Sequence, residues 1–107
     1  MTQTTQPGIV IIGRNEGARL VACLDSLATL NDQVVYVDSG STDRSVEMAR
    51  SRGIEVLELP KDRPFTAARA RNAGFKRLSE LHPGTEFVQF VDGDCKMAPG
   101  WLDYAVA

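Results

Sequence analysis

Asp92 and Asp94, separated only by Gly93, are the residues of this sequence whose types and spacing most directly suggest chemistry. Carboxylates that close repel one another, and a divalent cation relieves the repulsion. A hard ion such as Mg²⁺ or Mn²⁺ takes one or two protein carboxylates and completes its shell with water and substrate phosphate. Gly93 is expected to let the backbone turn so that both carboxylates reach one point. Asp-Gly is also an ordinary turn signal. The metal reading is favoured by position, because the pair ends an apolar run at residues 87–91. Two more polar clusters end apolar runs in the same way: Gly13-Arg14-Asn15-Glu16 after residues 9–12, and Asp38-Ser39-Gly40-Ser41 after residues 34–37. Asp38 could accept hydrogen bonds from a base or from ribose hydroxyls, or serve only its own turn. Arg71, in Arg69-Ala70-Arg71-Asn72-Ala73-Gly74, either reaches a diphosphate or is a solvated charge, and spacing leaves both open.

The elements that must position these groups alternate along the chain. Residues 9–12 (Ile-Val-Ile-Ile) form a continuous apolar run too short for a helix, as expected of a strand covered on both faces. From Glu16 onward Leu20, Cys23, Leu24 and Leu27 recur at helical spacing, with Asn15 placed to cap the helix. The pattern then repeats. A strand at 34–37 is followed by a helix to about Arg52 capped by Ser41 or Thr42, and a third strand is expected at 54–59. A helix with the inner face Ala67, Ala70, Gly74, Leu78 and Leu81 leads to a fourth strand at 87–91. Pro99-Gly100-Trp101-Leu102 reads as the opening of another helix. Four strand-plus-crossover units predict an α/β fold: a Rossmann-like open parallel sheet with helices on both faces and right-handed crossovers. Ligands of such sheets bind beyond the carboxyl ends of the strands, where strand order reverses, and all three polar clusters are expected on that rim.

Composition narrows the function. A length of 107 residues fits one domain, 1–107, and the sequence contains no linker or repeat. A net charge of −2 offers no footprint for nucleic acid. The longest apolar run is far below the roughly 20 residues that cross a bilayer, and the first residues lack a basic start and an apolar segment. A cytoplasmic location is expected. Cys23 and Cys95 lie in unlike settings and are read as free thiols, while His82 stands alone in a turn. Neither G-x-G-x-x-G nor G-x-x-x-x-G-K-[ST] occurs, and no Cys-His or Ser-His pair suggests a covalent nucleophile.

With these pieces in place, four blocks of the sequence resemble the family 2 glycosyltransferases of the GT-A fold, in the family's order. They are Ile9-Val-Ile-Ile-Gly-Arg-Asn-Glu16, Val37-Asp-Ser-Gly-Ser-Thr-Asp43, Ala70-Arg-Asn-Ala-Gly74 and Val91-Asp-Gly-Asp94. The resemblance implies that the chain is the nucleotide-sugar-binding half of such an enzyme, with the acceptor half and the general base beyond it. It implies that Gly13, Arg14, Glu16, Asp38, Arg71, Asp92 and Gly93 surround the nucleotide, and that Asp94, with Asp92, holds Mn²⁺ or Mg²⁺ on the diphosphate. The implied reaction transfers a sugar, from a UDP-sugar, to the hydroxyl of an unknown acceptor with inversion, commonly in polysaccharide assembly. Ile12 and Arg14 replace residues more usual in the family, and Cys95 stands where a further acid is common. The alternative is a non-catalytic nucleotide-binding or self-associating α/β module, and a homodimer is compatible with either reading.

Overall fold

A computed structural model describes residues 7–85 and 87–95. Its four strands are β1 (Gly8–Gly13), β2 (Val34–Asp38), β3 (Glu55–Glu58) and β4 (Val88–Asp92), and its helices are α1 (Ala18–Ser26), α2 (Ser45–Ser51) and α3 (Ala67–Leu81). A 3₁₀ segment at Ala28–Gln33, which no periodicity announces, joins α1 to β2. The helix read at Pro99 lies outside the described residues. All strand pairs are parallel, in the order β3-β2-β1-β4. This is the expected α/β architecture.

The strand order dictates where the helices lie. From β1 to β2 to β3 the chain steps outward in one direction, then from β3 it returns past both earlier strands to pair β4 with the far side of β1. Right-handed crossovers running in opposite directions must pass over opposite faces. Accordingly, side chains alternating along β1 and β2 divide between two cores. Ile9, Ile11, Val34 and Tyr36 pack with Leu20, Cys23 and Leu24 of α1 and Ala49 of α2. Val10, Val35 and Val37 pack with Ala70 and Leu78 of α3. β1 and β2 are buried on both sides, which is why they read as unbroken apolar runs rather than as alternation.

Gly74 lets α3 approach closely. A Cβ there would stand 2.4 Å from Val10 Cγ1 and 2.8 Å from Val37 Cγ2. The inner face of α3 is therefore Ala70, Gly74 and Leu78. It is narrower than expected: Ala67 is exposed and Leu81 is 39% exposed, because both lie past the ends of the stretch that rests on the sheet.

Two capping expectations are also corrected. α1 begins at Ala18 after Gly17, whose φ of 54° follows a φ of 51° at Asn15, so the chain makes a further left-handed turn before the helix can start. Asn15 is thus too early to cap it. At α2, Asp43 Oδ1 accepts from the Ser45 amide at 2.9 Å, while Ser41 and Thr42 are engaged elsewhere. Cys23 is buried, Cys95 exposed, and both are free thiols. His82 ends α3 with Nε2 2.6 Å from the Asp32 carbonyl oxygen.

Candidate functional site

Register places the strand ends in step. Gly13 pairs with Asp38 and Ile12 with Asp92, so the polar residues that follow all emerge on one rim. Strand order reverses between β1 and β4, and a cleft of about 380 Å³ opens there. Ile12, Gly13 and Gly93 line it at the strand ends, Arg14 and Glu16 come from the loop after β1, and Asp92 and Asp94 from the end of β4. Ser39 comes from the loop after β2, and Phe65, Thr66 and Ala67, at the start of α3, add the remaining wall together with Ala70. This is where an open α/β sheet takes its ligand.

The carboxylates in and around the cleft differ in state. Asp92 and Asp94 are exposed. Among the described residues, Asp94 Oδ1 has a long contact with the Cys95 thiol at 3.8 Å and the Asp92 side chain has no partner. Both remain able to ligate. Glu16 is tied to Arg19 at 3.0 Å and lies against Gly93, where a Cβ would meet Glu16 Cγ at 3.2 Å and the Ile12 carbonyl oxygen at 3.3 Å. Gly93 has no positive φ. Its smallness matters here through this close approach, with its amide donating to Ile12 O at 2.8 Å, and the conformational freedom expected of it is not used.

Asp38 is 2% exposed and does not line the cleft. Its Oδ1 accepts from Tyr36 Oη at 2.7 Å and from Ser41 Oγ at 2.5 Å, and its Oδ2 accepts from the Ser41 amide at 2.8 Å. Three of roughly four lone-pair positions are filled from within the protein. Burial, and then the bond to Asp38 and its charge, push the Tyr36 phenol far above its usual pKa, so Tyr36 is a permanent donor. Burial likewise pushes the Cys23 thiol up to about 11, with the charges of Cys95 and Asp94 adding to it. The hydrogen bonds from Ser45 hold the Asp43 carboxyl below its usual range.

Arg71 is exposed on α3 and is not among the residues that line the cleft; the cation that lines it is Arg14. The arginine of that block with the most contacts is Arg69. It donates to the carbonyls of Pro60, Arg63 and Pro64 and lies 5.7 Å from the centroid of the Phe65 ring. Arg69 thereby shapes the 60–66 loop and holds Phe65 against Gly40, where a Cβ would come within 2.9 Å of the ring. Sequence reasoning missed Phe65, Thr66 and Ala67 as lining residues. The available signal was Thr66, whose Oγ1 caps α3 by accepting from the Arg69 amide at 3.1 Å.

Among the described residues no group of three His, Cys, Asp or Glu side chains forms a cage for a metal. Two exposed carboxylates on a cleft rim are instead the donor set of an ion that completes its shell with water and phosphate oxygens, so Asp92 and Asp94 fit Mg²⁺ or Mn²⁺ accompanied by a diphosphate. No described helix is long and apolar enough to cross a membrane.

Comparison with known proteins shows the family. Residues 8–107 match the model of the family described as glycosyl transferase family 2. Uncharacterized glycosyltransferases of Rickettsia prowazekii (strain Madrid E) and Rickettsia typhi (strain ATCC VR-144 / Wilmington) are each 38% identical over 50 residues. One from Rickettsia bellii (strain RML369-C) is 42% identical over 50 residues. In each case the match covers 47% of this chain and 17% of the relative, so the chain aligns with about a sixth of the length of these curated relatives.

Proposed function

This chain belongs to glycosyl transferase family 2, and from that premise we propose that it forms the donor side of a glycosyltransferase, binding a nucleotide sugar in the cleft between β1 and β4. The observation that carries the reading is the convergence of Arg14, Asp92 and Asp94 on a cleft at the point of strand reversal. The donor is a UDP-sugar, and the product is a glycoside formed on an acceptor hydroxyl with inversion. Asp94 and Asp92 hold Mn²⁺ or Mg²⁺, which when bound acts as a Lewis acid on the departing diphosphate. Arg14 offers a planar guanidinium to the same phosphates. Asp38, with one lone-pair position left, supports the nucleoside side of the rim, and Arg71 is a peripheral cation near it. The general base is not assigned to any residue of this chain. The protein works in the cytoplasm.

Calorimetric titration of UDP with Mn²⁺, and again with chelator, tests this directly. Binding is expected only with metal. Because loss of a residue that merely orients a ligand costs roughly 10–100-fold in metal affinity, Asp94→Ala is expected to weaken binding by at least about 100-fold. Equal affinity with and without metal would sink the role given to Asp92 and Asp94.

Self-association is a second reading, favoured by exposed aromatic side chains: Phe87, just before β4, is 48% exposed, Phe90 of β4 38%, and Phe75 of α3 50%. Sedimentation equilibrium would show a homodimer, and a monomer at all concentrations would dismiss it.

A further inference from the structure

The loop after β1 and the loop after β2 are joined by side chains that the donor reading leaves without a role. Asn15 is at the centre. Its backbone amide donates to Ser41 Oγ at 2.9 Å, and its Oδ1 accepts from the amides of Thr42 at 2.7 Å and Asp43 at 3.2 Å. Ser41 passes the connection to buried Asp38 through its hydroxyl and its own amide. Asp43 passes it to the Ser45 amide, and Ser45 Oγ accepts from the Gly17 amide at 3.4 Å, which closes the circuit back onto the first loop. Asn15 is also the one non-glycine residue with positive φ among the described residues, at 51°. Asparagine is suited to both tasks, since it tolerates the left-handed region and its short amide can accept from two neighbouring N–H groups.

The two residues that flank Asn15, Arg14 and Glu16, line the cleft, whereas Asn15 itself does not. We propose that Asn15 is a positioning residue: it locks the 13–17 loop onto the 39–45 loop and so fixes Arg14 and Glu16 at the cleft. The proposal rests on the donor reading only for what the cleft binds. The lock itself is a property of the protein without ligand. Its consequence is that Arg14 meets a ligand from a preorganised loop, and the ordering cost is met on folding instead of on binding.

Asn15→Gly keeps the positive φ and deletes the acceptor, while Asn15→Asp keeps both, so the pair separates the hydrogen bonds from the backbone conformation. Amide hydrogen exchange read residue by residue on the whole chain is the primary measurement. Two lost bonds are expected to accelerate exchange of the Thr42 and Asp43 amides by about tenfold in Asn15→Gly, with Asn15→Asp near the unsubstituted chain. Titration of UDP with Mn²⁺ is the second readout, expected to weaken about tenfold in Asn15→Gly while the thermal midpoint moves by only a few degrees. Unchanged exchange at Thr42 and Asp43 would overturn the lock. Accelerated exchange with undiminished UDP affinity would overturn the positioning role. If the unsubstituted chain binds no UDP, the donor reading fails, and exchange of the Gly17 amide, which donates across to Ser45 Oγ, decides the proposal in Asn15→Gly: acceleration supports it and no change overturns it.

Discussion

The two sides of the rim are built in opposite ways. After β1 and β2, Asn15, Asp38, Ser41, Asp43 and Ser45 are bound to one another, and the central carboxylate is buried with three internal donors. After β4, Asp92 and Asp94 are exposed and almost without side-chain partners among the described residues. Three aspartates follow two apolar runs in the same manner, yet one is structural and two are available. A carboxylate saturated by fixed donors shapes a wall, whereas an unsaturated pair can gain most of its interaction energy from an incoming ion. The contrast divides the rim into a preformed side and a side whose carboxylates are left unsaturated among the described residues.

The strongest way to break this comparison is to remove each kind of aspartate in turn. Asp38→Ala leaves Tyr36 Oη and two Ser41 donors without their acceptor, and is expected to cost about 3 kcal/mol in urea denaturation. Asp94→Ala should lie within about 0.5 kcal/mol of the unsubstituted chain in the same experiment. Similar losses for both would show that the two sides do not differ in construction. A somewhat smaller effect concerns the wall that faces them. Gly74→Ala forces a methyl to within 2.4 Å of Val10 Cγ1, and lifting α3 from the sheet is expected to destabilise the fold by about 2 kcal/mol.

The third test uses pH and isolates the preformed side. Tyr36 has its pKa raised from 10.0 by burial and by Asp38. The phenol therefore contributes stability that is fully present below pH 10 and declines as pH rises above it, because the unfolded chain then loses a proton that the folded chain keeps. The decline attributable to Tyr36 approaches about 1.4 kcal/mol per pH unit, and it should vanish in Tyr36→Phe when denaturation midpoints are compared from pH 8 to pH 11. Equal slopes in the two proteins would mean that Tyr36 titrates freely and that the Asp38 site is open.

Much of this was legible along the chain. Burial on both faces demands apolar residues at every position, so β1 and β2 announced themselves as short continuous runs, and α1 as an uninterrupted helical period through Leu20, Cys23, Leu24 and Leu27. The order of polar residues after strands then pointed to the rim, because parallel strands all end on the same side. What the one-dimensional pattern could not show was how each polar residue is used. Asn15 has the right type and spacing to cap a helix, and only the left-handed turns at Asn15 and Gly17 move it off that position and onto Thr42 and Asp43. Arg69 and Arg71 are indistinguishable by spacing, and the fold of the 60–66 loop over one of them separates their roles. Asp38 and Asp94 are alike in sequence, but Tyr36 and Ser41 close over the first and nothing described closes over the second. Sequence alone determined the elements, their parallel order of delivery and the rim, since these follow from local periodicity and from chain direction. Tertiary structure decided which groups face the cleft, which face one another and how close α3 comes, since the Asn15 hydrogen bonds and the approach of Gly74 to Val10 and Val37 join residues 26 or more positions apart, and burial closes Tyr36 and Ser41 over Asp38.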